Sequence, residues 1–429
     1  MLFRGTVGSA SCHHGLPTPR RQAIVELRSV TAPRRAFLRL LALGSGALAA
    51  CRAKAPVPLP SLLGAPITPY GERSPYVRSV RQVFETTRTP EQAASLTPLA
   101  DTYGIITPSS LHFERHHSGV PRIDPAEHRL MIHGMVDRPL IFTMEELQRL
   151  TSVSRIYFVE CSGNSNTGWR PTPRPTVQAT HGMTSCSEWT GVKLSLLLEE
   201  VGVQPAASWI LAEGADPAKM TRSIPLAKAM DDAMVVYAQN GEPLRPEQGF
   251  PLRLFLPGWE GNANIKWLRR LKVVDRPYMT REETSKYTDL MADGSARQFT
   301  LVMDAKSVVT HPSGGQRLAG PGFHEITGIA WTGRGRVTRV EISTDGGASW
   351  KEAQLQEPVL PRAHTRFRYG WDWDGTQAVV ASRVTDETGY LQPTRAELVE
   401  VRGLNSNYHN NMIQAWKVMA DGSVEYAVI

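Results

Sequence analysis

Cysteine is scarce in this sequence, because the 429 residues include only Cys12, Cys51, Cys161 and Cys186. The first two lie in or at the edge of the N-terminal fifty residues, so only two can serve the folded body. This count excludes a disulfide scaffold, and no Cys-x-x-Cys or Cys-x-x-Cys-His occurs that would form a zinc ribbon or attach a haem. We therefore expect no haem on this chain and assign any such electron carrier to another chain.

Long apolar runs and an excess of charge in the body are also missing. No run reaches the roughly 20 apolar residues that span a bilayer. The formal charge is +7, but residues 1–50 contain seven arginines and one acidic residue, which leaves 41 basic and 40 acidic residues in the remainder. A body near neutrality has no electrostatic footprint for a phosphate backbone, so nucleic acid is not an expected partner. The length predicts two domains and a leader.

The leader has a twin-arginine layout. Arg34 and Arg35 precede a weakly apolar stretch of small residues, Leu40–Ala50. This pattern predicts that residues 1–50 are a signal peptide for export to the periplasm, with a buried amphipathic helix as the alternative. Because this route exports folded proteins, we expect a complex cofactor acquired before export. Residues 48–51 fit a signal-peptidase site or a lipobox, so membrane attachment would require lipidation of Cys51.

The rest of the chain divides by pattern into three parts. Residues 51–102, rich in proline and serine, predict an extended N-terminal arm. Residues 103–297 mix short strands with helices and predict an α+β domain, whereas residues 298–429 are strand-rich and predict a β-sandwich. Asp345-Gly346-Gly347 indicates a hairpin turn. The predicted helices are Thr143–Leu150 and Leu194–Val201, and the predicted strands are Arg129–Gly134, Arg155–Val159, Val337–Ser343, Val379–Val384 and Ala396–Gly403.

Cys161 is the main candidate for chemistry. It follows the apolar segment Tyr157–Val159 and precedes a turn at Gly163 and Asn164, which presents one thiol at a strand end. A thiolate is a soft metal ligand, and a strand end is rigid enough to hold it. Two alternatives are a buried free cysteine and a nucleophilic cysteine with His181 or a neighbour as base.

Residues 161–164, Cys-Ser-Gly-Asn, resemble the molybdenum-ligand motif of the sulfite oxidase family. Further segments resemble that family in the same order: 113–117, 223–230, 240–244, 249–253 and 266–268. The resemblance implies a molybdopterin-binding domain over residues 103–297 and an immunoglobulin-like β-sandwich dimerisation domain over residues 298–429. It also implies a molybdenum–molybdopterin cofactor and a homodimer or heterotetramer. Segments 384–393 and 405–418 resemble the sulfane dehydrogenase branch.

The cofactor's phosphate and polar pterin need cationic and polar donors in a buried site. The resemblance implies Cys161 as the metal ligand. Six further residues are predicted to bind the cofactor: Arg115, His117, Asp216, Gln248, Arg253 and Lys266. Gln248 stands where animal members of the family have a histidine.

The catalytic residues implied by the resemblance are Cys161, Arg366, Arg368 and Tyr287. For the two arginines, outward charges on a strand edge are the alternative. Residues 165–170 lack the arginine that closely follows the cysteine motif in sulfite oxidases, since Asn166 or a neighbour occupies its position and Arg170 is displaced. With fewer arginines at the rim of the active site, we expect the substrate to be sulfane sulfur on a carrier protein rather than free sulfite. The expected electron acceptor is a c-type cytochrome. A free-sulfite dehydrogenase and a cofactor-free periplasmic binding module are the alternatives.

Overall fold

The computed structural model describes residues 64, 66–84, 89–170 and 175–429. The predicted signal peptide, with Cys12, and the lipobox residue Cys51 lie outside the described residues. The chain divides into two compact units, 1–74 and 75–429. The described part of the first unit contains no helix or strand. In the described part of the chain, no helix is both long and apolar enough to cross a membrane.

The N-terminal half of the second unit contains fifteen strands and five helices among its described residues. The strands are β1 Gln82–Phe84, β2 Ala94–Leu96, β3 Glu114–Arg115, β4 Arg129–Gly134, β5 Leu140–Thr143, β6 Ser152–Glu160, β7 Thr184–Lys193, β8 Trp209–Gly214, β9 Thr221–Pro225, β10 Met234–Gln239, β11 Glu242–Pro243, β12 Arg253–Phe255, β13 Leu268–Val274, β14 Asp289–Leu290 and β15 Ala296–Arg297. The helices are α1 Met144–Arg149, α2 Val177–His181, α3 Leu194–Val201, α4 Leu226–Asp231 and α5 Arg281–Thr284.

Two five-stranded sheets organise this half. One has the order β11-β10-β7-β6, with β12 also paired to β10, and the other has the order β5-β4-β13-β8-β9. Only the β4–β13 pair in these sheets is parallel. Helix α3 begins without a side-chain cap, and its buried positions Leu194, Leu197, Leu198 and Val201 follow the helical period. These leucines join the core that covers the second sheet.

The C-terminal half contains nine strands and one helix. They are β16 Lys306–His311, β17 Gly322–Trp331, β18 Val337–Ser343, β19 Lys351–Glu352, β20 Gln354–Gln356, β21 Thr365–Trp373, β22 Ala378–Asp386, β23 Ala415–Val418, β24 Val424–Ala427 and α6 Arg395–Arg402. Sheets of order β16-β17-β21-β20 and β19-β18-β22-β23-β24 share one core. Their alternating inward residues include Val308, Ile329, Phe367, Val340 and Trp416. This arrangement confirms the predicted α+β fold with a C-terminal β-sandwich.

One expectation about local structure is wrong. Residues 396–402, predicted as part of a strand, lie in helix α6, because Thr394 and Glu397 make a capping box that starts a helix. The segment before residue 103, predicted as an extended arm, includes short strands. Strand β2 is buried and joins β1 and β3 in a three-stranded sheet, so this part of the segment belongs to the body.

Candidate active site

A cleft with an empty volume of about 700 Å³ opens in the N-terminal half. Its walls come from the ends of several strands and the loops between them, far apart in sequence. The cleft brings together Cys161 and seven other residues singled out from the sequence: Arg115, His117, Asp216, Gln248, Arg253, Lys266 and Tyr287. The aromatic and aliphatic residues Phe113, Val159, Met220 and Trp267 complete much of its lining. It therefore has the mixed polar and apolar character of a ligand site.

Cys161 is held at the point where β6 leaves its sheet. Its amide donates to the carbonyl of Met183 at 3.0 Å, and its own carbonyl accepts from the amide of Asn164 at 2.8 Å. A Cβ at Gly163 would stand 3.9 Å from Cys161 Sγ, so glycine keeps the space beside the sulfur open. Burial raises the pKa of the Cys161 thiol. Since a bound cation deprotonates a coordinating thiol, metal binding would oppose that effect.

Arg253 is a buried cation that pairs with no carboxylate of the described residues. It begins β12, is 3% exposed, and donates to the backbone carbonyl and to Oε1 of Gln248 at 3.2 and 3.3 Å. Its guanidinium carbon lies 5.1 Å from the centroid of the Trp189 ring. The Nε of Arg253 is buried and has no hydrogen-bond partner within the part of the chain that the structure describes. Burial lowers the pKa of Arg253 to about 9. An anion in the cleft would satisfy this group.

Lys266 adds a second cation next to Arg253. Its Nζ donates to the carbonyls of Arg115 and Glu247 at 3.3 and 3.0 Å and to Nδ1 of His116 at 3.0 Å. Burial, followed by the charge of Arg253, lowers the pKa of Lys266 to about 7. The direct hydrogen-bond acceptors of both groups are neutral, while the charges of Glu114, Asp216 and Glu247 only partly offset the fall in the pKa of Lys266. An anionic ligand would favour the charged form of both groups.

His117 and Tyr287 form a hydrogen-bonded pair on the cleft wall. Nε2 of His117 lies 2.9 Å from the hydroxyl of Tyr287. Burial lowers the pKa of His117 to about 4 and raises the pKa of Tyr287. The imidazole is thus neutral and the phenol protonated at pH 7. The pair offers a hydrogen-bonding group to a bound molecule without adding net charge.

Asp216 and Gln248 shape the cleft by holding its backbone. Asp216 accepts from the Ser118 hydroxyl at 3.3 Å and from the Met220 amide at 3.1 Å. The amide nitrogen of Gln248 donates to the carbonyl of Phe113 at 2.9 Å. In this structure, both side chains also line the cleft and remain near the cations.

Arg366 and Arg368, for which a catalytic role was predicted, lie on β21, outside the lining of the cleft. Arg366 donates to the carbonyls of Thr102 and Gly104, which ties the N-terminal segment to the β-sandwich. Arg368 is half-exposed and donates to Oε1 of Gln354 at 2.9 Å. Both side chains are therefore engaged in contacts outside the cleft, on a strand that is paired on both sides. Arg170 is also exposed and outside the lining.

A buried polar cluster behind Cys161 was not predicted as part of the site. Glu260 accepts from Arg222 at 2.9 Å, from His409 Nε2 at 3.0 Å and from Asn262 Nδ2 at 2.9 Å. Asn262 also donates to the Ser162 hydroxyl at 3.0 Å and lines the cleft. The Gly-Asn pair of residues 261–262 and the Tyr-His pair of residues 408–409 were the available signals. Only the fold shows that they meet.

The arrangement of this cleft and the two-part fold define a cofactor-binding oxidoreductase domain followed by a β-sandwich. The "Oxidoreductase molybdopterin binding domain" family matches residues 117–282, and the "Mo-co oxidoreductase dimerisation domain" family matches residues 297–416. The crystal structure of the sulfane dehydrogenase SoxCD from Paracoccus pantotrophus is similar, with 46% identity and a TM-score of 0.81. The match covers 85% of this chain and 100% of that one. This chain belongs to the sulfite oxidase family of molybdopterin oxidoreductases.

Curated relatives are longer. The mitochondrial sulfite oxidase of Drosophila melanogaster is 30% identical over 343 residues, which cover 71% of this chain and 58% of the relative. The NADH nitrate reductase of Ulva prolifera is 31% identical over 341 residues, which cover 68% of this chain and 38% of the relative. The chain thus spans about three fifths of the length of the sulfite oxidase and about two fifths of the length of the nitrate reductase.

The residues of the cleft fit a molybdopterin. The unpartnered Nε of Arg253 and the adjacent ammonium of Lys266 are suited to a phosphate, which prefers charge-assisted donors. Gly249 lies so close to Lys266 that a Cβ added to the glycine would stand 3.1 Å from the Cβ of Lys266. Its φ of +112° further restricts that position to glycine. Cys161 lines the same cleft, and its thiolate would be a soft metal ligand.

Proposed function

We propose that the protein is a molybdenum-dependent dehydrogenase that oxidises sulfane sulfur held on a carrier protein. The observation that carries this proposal is the convergence of Cys161 with Arg253 and Lys266 on one cleft. The 46% identity to a sulfane dehydrogenase structure along that whole chain supports the substrate class. When bound, the cofactor would supply the transfer of oxygen from water to sulfur together with uptake of two electrons.

The protein's own residues have separate tasks in this proposal. Cys161 provides the thiolate ligand, and Arg253 and Lys266 hold the anionic part of the cofactor. His117 and Tyr287 orient a bound sulfur compound through their hydrogen-bonded pair, with the phenol keeping its proton at neutral pH. The aromatic wall excludes water from the sides of the cleft. Orientation of this kind is the main contribution of a protein to cofactor chemistry.

The small number of free arginines supports a substrate less charged than sulfite. Among the described residues that line the cleft, the arginines are Arg115 and Arg253. Arg253 is assigned to the anionic part of the cofactor, and Arg115, the other guanidinium near Cys161, already donates to the backbone carbonyls of Gln92 and His116. A dianion is best held by paired fork donors. A sulfur atom attached to a carrier carries less charge and needs fewer of them.

The remaining parts of the proposal concern partners and location. A c-type cytochrome is proposed as the electron acceptor, which suits removal of two electrons one at a time. The match to a dimerisation domain supports a homodimer or a heterotetramer. The twin arginines at positions 34 and 35 support export to the periplasm.

Metal analysis paired with turnover tests the proposal. Molybdenum is measured by elemental analysis on protein matured with its cofactor, and cytochrome c reduction is followed with sulfite and with thiosulfate-loaded carrier protein in parallel. About one metal per chain with activity only on the carrier is the expected result. Metal with activity on sulfite alone would make the protein a sulfite dehydrogenase, as the sulfite oxidase relatives favour. Absence of metal would overturn the enzyme assignment in favour of a cofactor-free binding module.

A further inference from the structure

The loop that carries Cys161 is anchored by the C-terminal β-sandwich. Glu160, the residue before Cys161, is fully buried. Its Oε1 accepts from Nζ of Lys306 at 2.5 Å, and its Oε2 accepts from Nε1 of Trp331 at 2.7 Å. Lys306 begins β16 and Trp331 ends β17, so both donors come from the second family domain. The cysteine loop is therefore connected to a different domain by charge and by hydrogen bonds.

Lys306 also reaches the far end of the same loop. Its Nζ donates to the Ser165 hydroxyl at 3.1 Å, and that hydroxyl donates to the carbonyl of Asn410 at 2.9 Å. Within the loop, Nδ2 of Asn164 donates to Oε1 of Glu160 at 3.0 Å. One lysine thus spans residues 160–165 on both sides of Cys161. Lys306 is 1% exposed, so this contact is shielded from solvent.

Stability alone is a weak reason for this arrangement. A buried ion pair loses the hydration of both charges, and well-packed apolar residues of similar volume often serve as well or better. Here the pair lies within one residue of the proposed metal ligand, and its hydrogen bonds fix direction as well as distance. Geometry of this quality matters where a ligand must be held within about 0.5 Å of its working position.

We propose that Lys306 is a positioning residue that holds the Cys161 loop through Glu160 and Ser165, so that the β-sandwich completes the molybdenum site as well as serving assembly. The inference rests on the proposed function for its metal. Its mechanical part, the ordering of the cysteine loop, is independent of the cofactor. The two parts can therefore be tested separately.

The first experiment uses cofactor-free protein and a small alkylating reagent, with Cys161 followed by peptide mapping. We expect Lys306→Met to raise the alkylation rate of Cys161 at least tenfold, and Lys306→Arg to keep it within about threefold of the wild type. The matched control is Arg362→Met. Arg362 is another cation of the β-sandwich, and it forms an ion pair with Asp232 of the N-terminal half at 3.0 Å. An unchanged rate in Lys306→Met, or an equal rise in Arg362→Met, would overturn the proposal.

The second experiment uses the loaded enzyme. We expect Lys306→Met to retain molybdenum but to change the electron paramagnetic resonance g-values of the partly reduced protein. Its kcat should fall about tenfold with KM within twofold of the wild type. Unchanged g-values at full metal content would reject the role at the metal. If the wild type contains no molybdenum, the proposed function fails while the alkylation result still decides the role of Lys306 in the loop.

Trp331→Phe provides a milder test if Lys306→Met does not fold. It removes one hydrogen bond to Glu160 and keeps the charge pair. We expect an increase of Cys161 alkylation of about threefold and a smaller change of the g-values. Wild-type values for both measurements in this variant would contradict an anchoring role for the Glu160 contacts.

Discussion

Replacing Arg253 by methionine is expected to stabilise the cofactor-free protein while weakening its hold on the cofactor. Among the described residues no carboxylate pairs with the buried guanidinium, and burial lowers its pKa from 12.5 to about 9. This change corresponds to about 5 kcal/mol against the charged form. Methionine removes that cost but leaves the oxygens of Gln248 without their donor, which costs about 1 to 3 kcal/mol. The net gain is therefore about 2 to 4 kcal/mol.

The cofactor-loaded protein should respond in the opposite direction. A charge-assisted hydrogen bond from Arg253 to a phosphate is worth about 1.5 to 3 kcal/mol. Its loss should weaken cofactor binding by a factor of roughly 10 to 150. Urea unfolding of protein made without molybdopterin measures the first effect. Pterin and molybdenum per chain after gel filtration measure the second.

Arg222→Met is the matched control for this experiment. Arg222 is also buried, but it pairs with Glu260 at 2.9 Å and approaches Glu283 at 3.6 Å. Removing one partner of a buried pair costs about 3 to 5 kcal/mol, so this variant should be strongly destabilised. The reasoning is refuted if Arg253→Met destabilises the cofactor-free protein as much as Arg222→Met does, or if it retains a full complement of cofactor.

Three further predictions test the site and the fold. Cys161→Ser should leave a folded protein with the pterin bound but without turnover, because a hydroxyl does not replace a soft thiolate; retained activity would reject the ligand assignment. Cofactor-free protein should lose stability on acidification. Burial lowers the pKa values of His112, His181 and His364 to about 3 in the folded protein. As the pH falls below 6.5, these histidines are protonated in the unfolded chain but not in the folded one, which favours unfolding. The loss between pH 6 and 5 should be about 3.5 kcal/mol in urea unfolding, and a flat profile there would contradict their buried neutral state. Thr394→Ala should cost about 1 kcal/mol by removing the capping box of α6, with Thr376→Ala in an exposed turn as a control.

Local signals in the sequence were sufficient to predict many of the helices and strands. The observed bounds of β4, β18 and α3 agree with the predicted ones, because each has a clear apolar period and a defined end. Residues 396–403 show the limit of this approach. Their apolar residues suit a strand as well as a helix, and the capping box at residues 394–397 decides for the helix.

The sequence by itself determined the elements that depend on neighbouring residues and the motif that presents Cys161, since propensity, capping and turn geometry act over a few positions. Only the tertiary structure decided which distant side chains meet. It places Arg253 and Lys266 in the cleft and directs Arg366 to donate to the carbonyls of residues 102 and 104. It also brings Lys306 into contact with Glu160, which lies 146 positions earlier in the chain. These contacts arise because strands distant in the chain pack side by side, and local periodicity carries no record of that pairing.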